Sequence, residues 1–370
     1  MSHKILVATG GGDCPGLNAV LRGIVKRAHL ENDNWQIFGC IESFNGILKD
    51  DVDIVELTDQ MVSGLHVKGG TIIKTTNKGG PFHFPVKQSD GTWVMEDRSA
   101  LMKKRLENMG FEAIINIGGD GSQAISLQLE KMGLHVVGVP KTIDNDLSST
   151  DFTFGFQTAV QIATEAFDKL VTTAESHNRV FIMEVMGRDA GWIALHTALA
   201  GGADVCIIPE VPYNPKVIAQ KIETRYKNGM GFCNIVIAEG AKEADGKVTG
   251  SAPTAIGDEH IKLGGVGEKL RQELLNLGIE HDVRVTVLGH LQRGGTPVAY
   301  DRILATEFGV KAFELVKEGK FGNMVVYHHP HISYVPLAEA IRQPHLVTED
   351  NYLVRAARGI GMSFGDVVAE

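Results

Sequence analysis

Short apolar runs alternate with helical stripes along most of this chain, and that alternation limits the fold more than any other feature. Ile5–Ala8, Trp35–Ile41, Ala113–Ile117, His135–Val139, Val180–Val185, Ala203–Ile208, Phe232–Ala238 and Arg284–Leu288 read as strands. Leu17, Val20, Leu21, Ile24, Val25 and Ala28 form one helical stripe. Ser99–Met109, Ser122 to Lys131, Gln157–Ser176, a stretch from Trp192, Pro215–Lys227, Ile261–Leu277 and Asp301–Val316 read as further helices. Asp90-Gly91 predicts a hairpin turn between Val86 and Met95. Strand and helix in repeated alternation predict an α/β fold. The number of strands suits two doubly wound domains with mostly parallel sheets and an active-site cleft between them. At 370 residues the chain is long enough to bury the cores this requires.

In open α/β sheets, ligands sit at the carboxyl ends of strands. Here those ends carry a consistent chemistry. The first is Thr9-Gly10-Gly11-Gly12-Asp13-Cys14-Pro15-Gly16, with Pro15 suited to a first helical position. Next come Ile117-Gly118-Gly119-Asp120-Gly121-Ser122 and Pro140-Lys141-Thr142-Ile143-Asp144-Asn145-Asp146. The second half offers Met186-Gly187-Arg188-Asp189-Ala190-Gly191, Glu239-Gly240 and Gly289-His290-Leu291-Gln292-Arg293-Gly294-Gly295-Thr296-Pro297. A single Asp at a turn is ordinarily a cap, and a single Arg a surface charge. Six such turns at six strand ends are not explained that way. Acids and glycines dominate the first half, basic groups the second. Phosphoryl transfer needs this division: Mg²⁺ and backbone N–H groups for the donor phosphates, a carboxylate for the acceptor hydroxyl, arginines for the transferred charge. The loop Gly69–Gly80, with Lys74 and Lys78, either closes over phosphates or is a solvated surface loop.

Composition removes other classes. A net charge of −9 argues against nucleic acid or an anionic membrane as partner. No apolar run reaches the roughly 18 residues of a membrane span, and Met1–Lys4 lead straight into a strand without a leader. Cys14, Cys40, Cys206 and Cys233 lack metal spacing and are expected as reduced thiols, so a cytoplasmic enzyme is expected. His328, His329 and His331 are interrupted by Pro330, with no adjacent carboxylate or cysteine, and are expected to serve packing or surface roles.

Taken together, these motifs resemble the bacterial-type 6-phosphofructokinases, from Ile5 to about Leu304. The resemblance implies transfer of a phosphoryl group to the 1-hydroxyl of fructose 6-phosphate. It implies Asp144 as general base, expected to keep a low pKa beside a helix start. Thr142 would touch the transferred phosphate. Asp120 would hold Mg²⁺, with Asp146 supporting it. Gly12, Gly119, Gly121 and Ser122 would line the nucleotide phosphates, with Asn77 and Lys78 nearby. Arg188 would stabilise the passing charge. Ile143, Met186, Gly187, Glu239 and Gln292 would contribute to the sugar site, and His290 and Arg293 would hold the 6-phosphate. Arg179 and Arg284 resemble arginines that reach in from a neighbouring subunit, which implies a homodimer or homotetramer. The implied partition is a donor domain of residues 1–140 and about 255–305, a sugar-phosphate domain of 141–254 and about 306–330, and a C-terminal extension of 331–370.

Two positions set the phosphoryl donor in this family. Gly121 resembles the ATP users, whereas pyrophosphate users carry Asp there, which would repel and crowd the α-phosphate. Lys141 resembles the pyrophosphate users and a mixed group that combines Gly with Lys. The missing carboxylate favours ATP; the pyrophosphate-dependent version of the reaction is the alternative. Asn77-Lys78 replaces a nucleotide-contacting arginine. The effector site is only partly matched: Arg22 and Lys26 fit, but the basic stretch expected near Asn228–Phe232 is missing and Val171 replaces an arginine. Near-hyperbolic kinetics are expected. An NAD-kinase-like enzyme shares Gly-Gly-Asp-Gly but is not expected to carry Thr-Ile-Asp-Asn-Asp with His-Leu-Gln-Arg. A dinucleotide-binding oxidoreductase could use Glu42, but Pro15 stands where its third glycine belongs. A non-catalytic regulatory subunit conflicts with the presence of Asp144, Asp120 and Arg188.

Overall fold

The computed structural model describes residues 2–244, 246–251 and 262–366. In chain order, β1 (His3–Thr9) leads to α1 (Leu17–His29), β2 (Trp35–Cys40), α2 (Asn45–Leu48) and β3 (Ile54–Glu56). A hairpin, β4 (Phe84–Lys87) and β5 (Trp93–Glu96), precedes α3 (Ser99–Met109). Then come β6 (Phe111–Gly118), α4 (Asp120–Lys131), β7 (Val136–Thr142), β8 (Phe154–Gly155) and α5 (Phe156–His177). The second half runs β9 (Val180–Val185), α6 (Trp192–Gly201), β10 (Val205–Ile207), α7 (Pro215–Lys227) and β11 (Cys233–Ala238). After a short pair, β12 (Gly250–Ser251) and β13 (Lys262–Leu263), follow α8 (Val266–Asn276), β14 (Val283–Val287) and α9 (Ala299–Lys317). The tail adds β15 (Asn323–His328), β16 (His331–Pro336), α10 (Leu337–Ala340) and α11 (Tyr352–Gly359).

The large sheet has the order β16-β15-β7-β6-β1-β2-β3, with β8 beside β7. Its interior pairs are parallel; β3 and β16 close the two edges antiparallel. The small sheet, β10-β11-β9-β14, is parallel throughout. Strands buried on both faces read as continuous apolar runs, and β9 and β11 are buried at every position. One apolar layer joins the sheets. Phe156, Ala163 and Phe167 of α5, Ile193 and Leu195 of α6, and Phe308 and Phe313 of α9 pack with Ile5 and Val7 of the large sheet and Met183 and Val185 of the small one. Each large side chain fully buried there contributes about 1.5–3 kcal/mol. Outside the layer, Ile218, Ile222, Leu270 and Leu274 of α7 and α8 cover the far face of the small sheet. Met102, Leu106 and Leu129 cover that of the large one.

The chain leaves β1 toward β2 and β3, then returns on the other side as β6 and β7. The order therefore reverses between β1 and β6, and the turns after these strands flank the crevice at that switch point.

The expected partition does not follow these sheets. β14, expected with the donor half, is an edge of the small sheet. β15, expected with the sugar half, pairs with β7 in the large sheet, and β16, expected in an extension, pairs with β15. Residue spacing shows that a strand exists; the crossover that carries the chain to a sheet decides which one it joins. The proposed break at 254/255 and the first residue of the helix expected at Ile261–Leu277 lie outside the described residues. Among the described residues no helix is long and apolar enough to cross a membrane. All four cysteines are buried free thiols.

Candidate active site

The carboxyl ends of β1, β6 and β7 in the large sheet and of β9, β11 and β14 in the small one open onto one cleft of about 900 Å³. After β1, the Gly10 N–H donates to the Ile117 carbonyl (2.8 Å) and the Gly11 N–H to that of Thr76 (2.9 Å). Thr75 Oγ1 donates back to the Gly11 carbonyl at 2.7 Å. The glycine turn is thus tied to β6 on one side and to the Thr75–Lys78 loop on the other. α4 starts directly after β6, and its first turn approaches closely: a Cβ on Gly10 would lie 2.6 Å from Ser122 Oγ. Gly119, Asp120, Gly121 and Ser122 present this helix N-terminus to the cleft, an arrangement that favours anions.

After β7 the chain turns through Asn145, held left-handed at φ 54. Its side-chain oxygen accepts from the Thr153 N–H (2.9 Å) and its amide donates to the Asp151 carbonyl (3.3 Å). Thr153 Oγ1 donates to the Thr142 carbonyl at 2.8 Å, and the Asp144 N–H donates to Thr142 Oγ1 at 3.0 Å. Asp144 and Asp146 both line the cleft. One carboxylate oxygen of Asp144 is buried and has no hydrogen-bond partner.

Burial, first, and the charge of Asp146, second, push the Asp144 carboxyl up to about 7, against the pull of Arg293. The low pKa expected for Asp144 is therefore reversed. No helix starts beside it, since α5 begins only at Phe156, and the loss of water outweighs the nearby cation. Asp146 is also raised, by burial and then by Asp120. Lys141 is buried, its ammonium donates to the Gly12 carbonyl, and burial lowers its pKa. This lysine thus braces the glycine turn from below.

From the small sheet, Arg188 Nε lies 3.8 Å from Asp189. The Glu239 N–H donates to the Val185 carbonyl (2.9 Å) and the Gly240 N–H to that of Gly187 (3.0 Å). A Cβ on Gly240 would collide with the Arg188 carbonyl, so the two loops touch through a position that only glycine fits. Burial, then Glu184, raises the Glu239 pKa. Arg293 reaches across the cleft, where Nη1 donates to the Asp13 carbonyl at 3.2 Å.

Of the expected residues, Gly12, Asn77, Lys78, Gly119, Asp120, Gly121, Ser122, Lys141, Thr142, Asp144, Asp146, Met186, Arg188, Glu239, His290 and Arg293 line the cleft. Ile143, Gly187 and Gln292 are buried behind the lining. Gln292 accepts from the Met186 N–H at 2.8 Å and so holds the loop instead of facing the cleft. Arg179 and Arg284 lie outside it and share Asp282, with Nε–Oδ distances of 2.7 and 2.9 Å. Ser43, Phe44, Asn45, His83, Met95 and Ile125 also line the cleft, and sequence reasoning missed them. The available signal was weak: Glu42 and Ser43 take consecutive positive φ values of 58 and 61, which nothing in their side chains announces.

Among the described residues, no group of three or more His, Cys, Asp or Glu side chains could enclose a metal ion. Mg²⁺ is ordinarily held by one or two carboxylates together with water and substrate phosphates. Asp120 and Asp146 both line the cleft, and the charge of Asp120 adds to burial in raising the proton affinity of Asp146; the two carboxylates suit that mode.

Glycine turns and a helix N-terminus facing carboxylates and arginines, at a switch point of an α/β sheet, define an enzyme built for phosphoryl transfer. Residues 4–316 match the family model for phosphofructokinase. The chain is 45% identical, over 98% of both chains, to "ATP-dependent 6-phosphofructokinase 2" of Clostridium perfringens. It is 47% identical, again over 98% of both, to "ATP-dependent 6-phosphofructokinase" of Chloroflexus aurantiacus. It is 43% identical, over 98% of this chain and 100% of the other, to "Pyrophosphate--fructose 6-phosphate 1-phosphotransferase" of Streptomyces coelicolor. A solved phosphofructokinase of Pichia pastoris in the T-state superposes with a TM-score of 0.77 at 30% identity, covering 92% of this chain and 36% of that longer one. This chain belongs to the phosphofructokinase family.

Proposed function

We propose that this protein is an ATP-dependent 6-phosphofructokinase, moving the γ-phosphoryl group of ATP to the 1-hydroxyl of fructose 6-phosphate in glycolysis. The observation that carries the reading is Asp144. It is a carboxylate with one buried, unpartnered oxygen, placed between the anion-binding turns of the large sheet and the arginines Arg188 and Arg293. Asp144 takes the proton of the 1-hydroxyl as that oxygen attacks the γ-phosphorus, and the bond to the bridging oxygen of ADP breaks. Its raised pKa makes it a proton acceptor matched to neutral pH. Gly12, Gly119, Gly121, Ser122, Asn77 and Lys78 bind the donor phosphates. Thr142 contacts the transferred group and Arg188 balances its charge. Met186 and Glu239 face the sugar, and His290 and Arg293 the 6-phosphate. Asp120, with Asp146 beside it, would hold Mg²⁺, which neutralises phosphate charge when bound.

On this reading the large sheet carries the donor half and the small sheet the sugar-phosphate half. Arg179, half-buried, and Arg284, exposed, lie outside their own cleft and serve the cleft of a neighbouring subunit in a homodimer or homotetramer. The setting is cytoplasmic. The full-length relatives named as ATP-dependent support ATP as donor, and so does Gly121. A Cβ added at position 121 would meet no protein atom within 4 Å, so space alone does not require glycine there. The test is turnover of fructose 6-phosphate with Mg²⁺ and either ATP or pyrophosphate. Turnover with ATP supports the reading; turnover with pyrophosphate alone overturns the donor, and none with either overturns the function.

A further inference from the structure

The carboxylate loop after β7 is braced by a segment far away in the sequence. The His345 N–H donates to the Asp146 carbonyl at 2.7 Å, and His345 Nδ1 lies 3.1 Å from the Asn145 carbonyl. Leu147 and Pro344 form a single antiparallel bridge beside these bonds. The same short strap reaches the other half of the cleft. The His345 carbonyl accepts from Trp192 Nε1 at 2.8 Å, and the two rings pack with centroids 4.6 Å apart. Two residues on, the Val347 N–H donates to Glu210 Oε1 at 2.9 Å, and that carboxylate also accepts from the Gly191 N–H at 3.0 Å. Gly191 ends the loop that carries Arg188, and Trp192 starts α6. Pro344–Val347 thus bonds directly to the Asp144–Asp146 loop and to Trp192, and through the Glu210 carboxylate to Gly191 at the end of the Arg188 loop. It lies beyond residues 4–316, the segment that matches the family.

We propose that His345 is a positioning residue for phosphoryl transfer: its ring donates to the Asn145 carbonyl, and the strap around it sets the spacing between Asp144 and Arg188. Asn145 is the pivot. It is a left-handed residue clamped through its side chain by Thr153 and Asp151 and through its carbonyl by His345. A left-handed non-glycine conformation is costly and persists only where surroundings over-determine it. Releasing the carbonyl leaves the two flanking carboxylates, which repel each other, free to drift apart. Misplacement by even ~1 Å costs up to about a hundredfold in rate. Substrate binding is affected less, since the strap touches none of the residues assigned to the phosphates.

The inference rests on the proposed kinase reaction, and wild-type turnover with ATP and fructose 6-phosphate tests that reaction separately. Two variants test the strap. His345→Asn keeps a side-chain donor near the Nδ1 position; His345→Leu keeps the packing on Trp192 without a donor. The leucine variant is expected to lose about tenfold in kcat, with KM for both substrates within about threefold of wild type, and the asparagine variant to recover most of that loss. Equal kcat in the two variants, or an asparagine variant as impaired as the leucine one, overturns the proposal. Trp192→Phe removes the donor to the His345 carbonyl and provides the second line. It should lower kcat with KM held, and an unchanged kcat there overturns the claim that the strap sets the spacing, even if the leucine variant does not fold.

Discussion

The carboxylate pair makes the reaction titrate near neutral pH, and Asp146→Asn tests why. Asp144 departs from an ordinary carboxyl value of 3.8 to about 7 because of burial first and Asp146 second. Below that value Asp144 already carries a proton and cannot accept another. Measured with ATP well below saturation, kcat/KM for fructose 6-phosphate should therefore fall about tenfold per pH unit on the acid side of the limb and level off above it. The apparent value belongs to the pair as a whole. Removing the Asp146 charge deletes the second cause and leaves the first. The limb should thus move to lower pH without returning to 3.8, and each unit of movement corresponds to about 1.4 kcal/mol of electrostatic repulsion relieved. The assay is ADP release followed from pH 5.5 to 9, with coupling enzymes in excess at every pH. Asp144→Asn should abolish the limb and lower kcat by about 10² to 10⁴. A wild-type profile flat down to pH 5.5, or a limb that stays in place or rises in Asp146→Asn, would refute the reasoning.

Three further predictions follow from the same geometry. Asp144 has a folded-state pKa above its unfolded value, so the stability it contributes is present at low pH and lost as pH rises through about 7. Asp144→Asn should therefore raise the melting temperature, and raise it more at pH 8 than at pH 5.5; a pH-independent change contradicts this. Gly121→Asp should fold normally, because an added Cβ meets nothing within 4 Å. It should lose about 5- to 1,000-fold in kcat/KM for ATP, as a carboxylate ~4 Å from a phosphate costs about 1–4 kcal/mol; full ATP activity would show that position 121 does not face the donor. Lys26, expected from the resemblance to belong to an effector site, is paired with Asp59 at 2.5 Å. Fructose 6-phosphate saturation should be near-hyperbolic, and a strongly sigmoidal curve relieved by ADP would count against it.

The sequence by itself determined the local elements and the chemistry at their ends. α3, α7 and β9 begin and end where their periodicity places them. Sixteen of the expected site residues line one cleft, because the carboxyl ends of parallel strands lie along one edge of their sheet. Helical and strand periods are properties of neighbours in the chain, so composition and spacing report them. The tertiary structure decided everything that depends on residues distant in sequence. It sent β14 to the small sheet and β15 and β16 to the large one. It turned Gln292 inward to hold Met186, and Lys141 toward the Gly12 carbonyl. It brought Ser43, His83 and Met95 to the cleft and His345 to the Asn145 carbonyl. Above all it set the proton affinity of Asp144. A carboxylate's pKa follows from the water removed around it and the charges brought near it, and neither exists until the chain has folded.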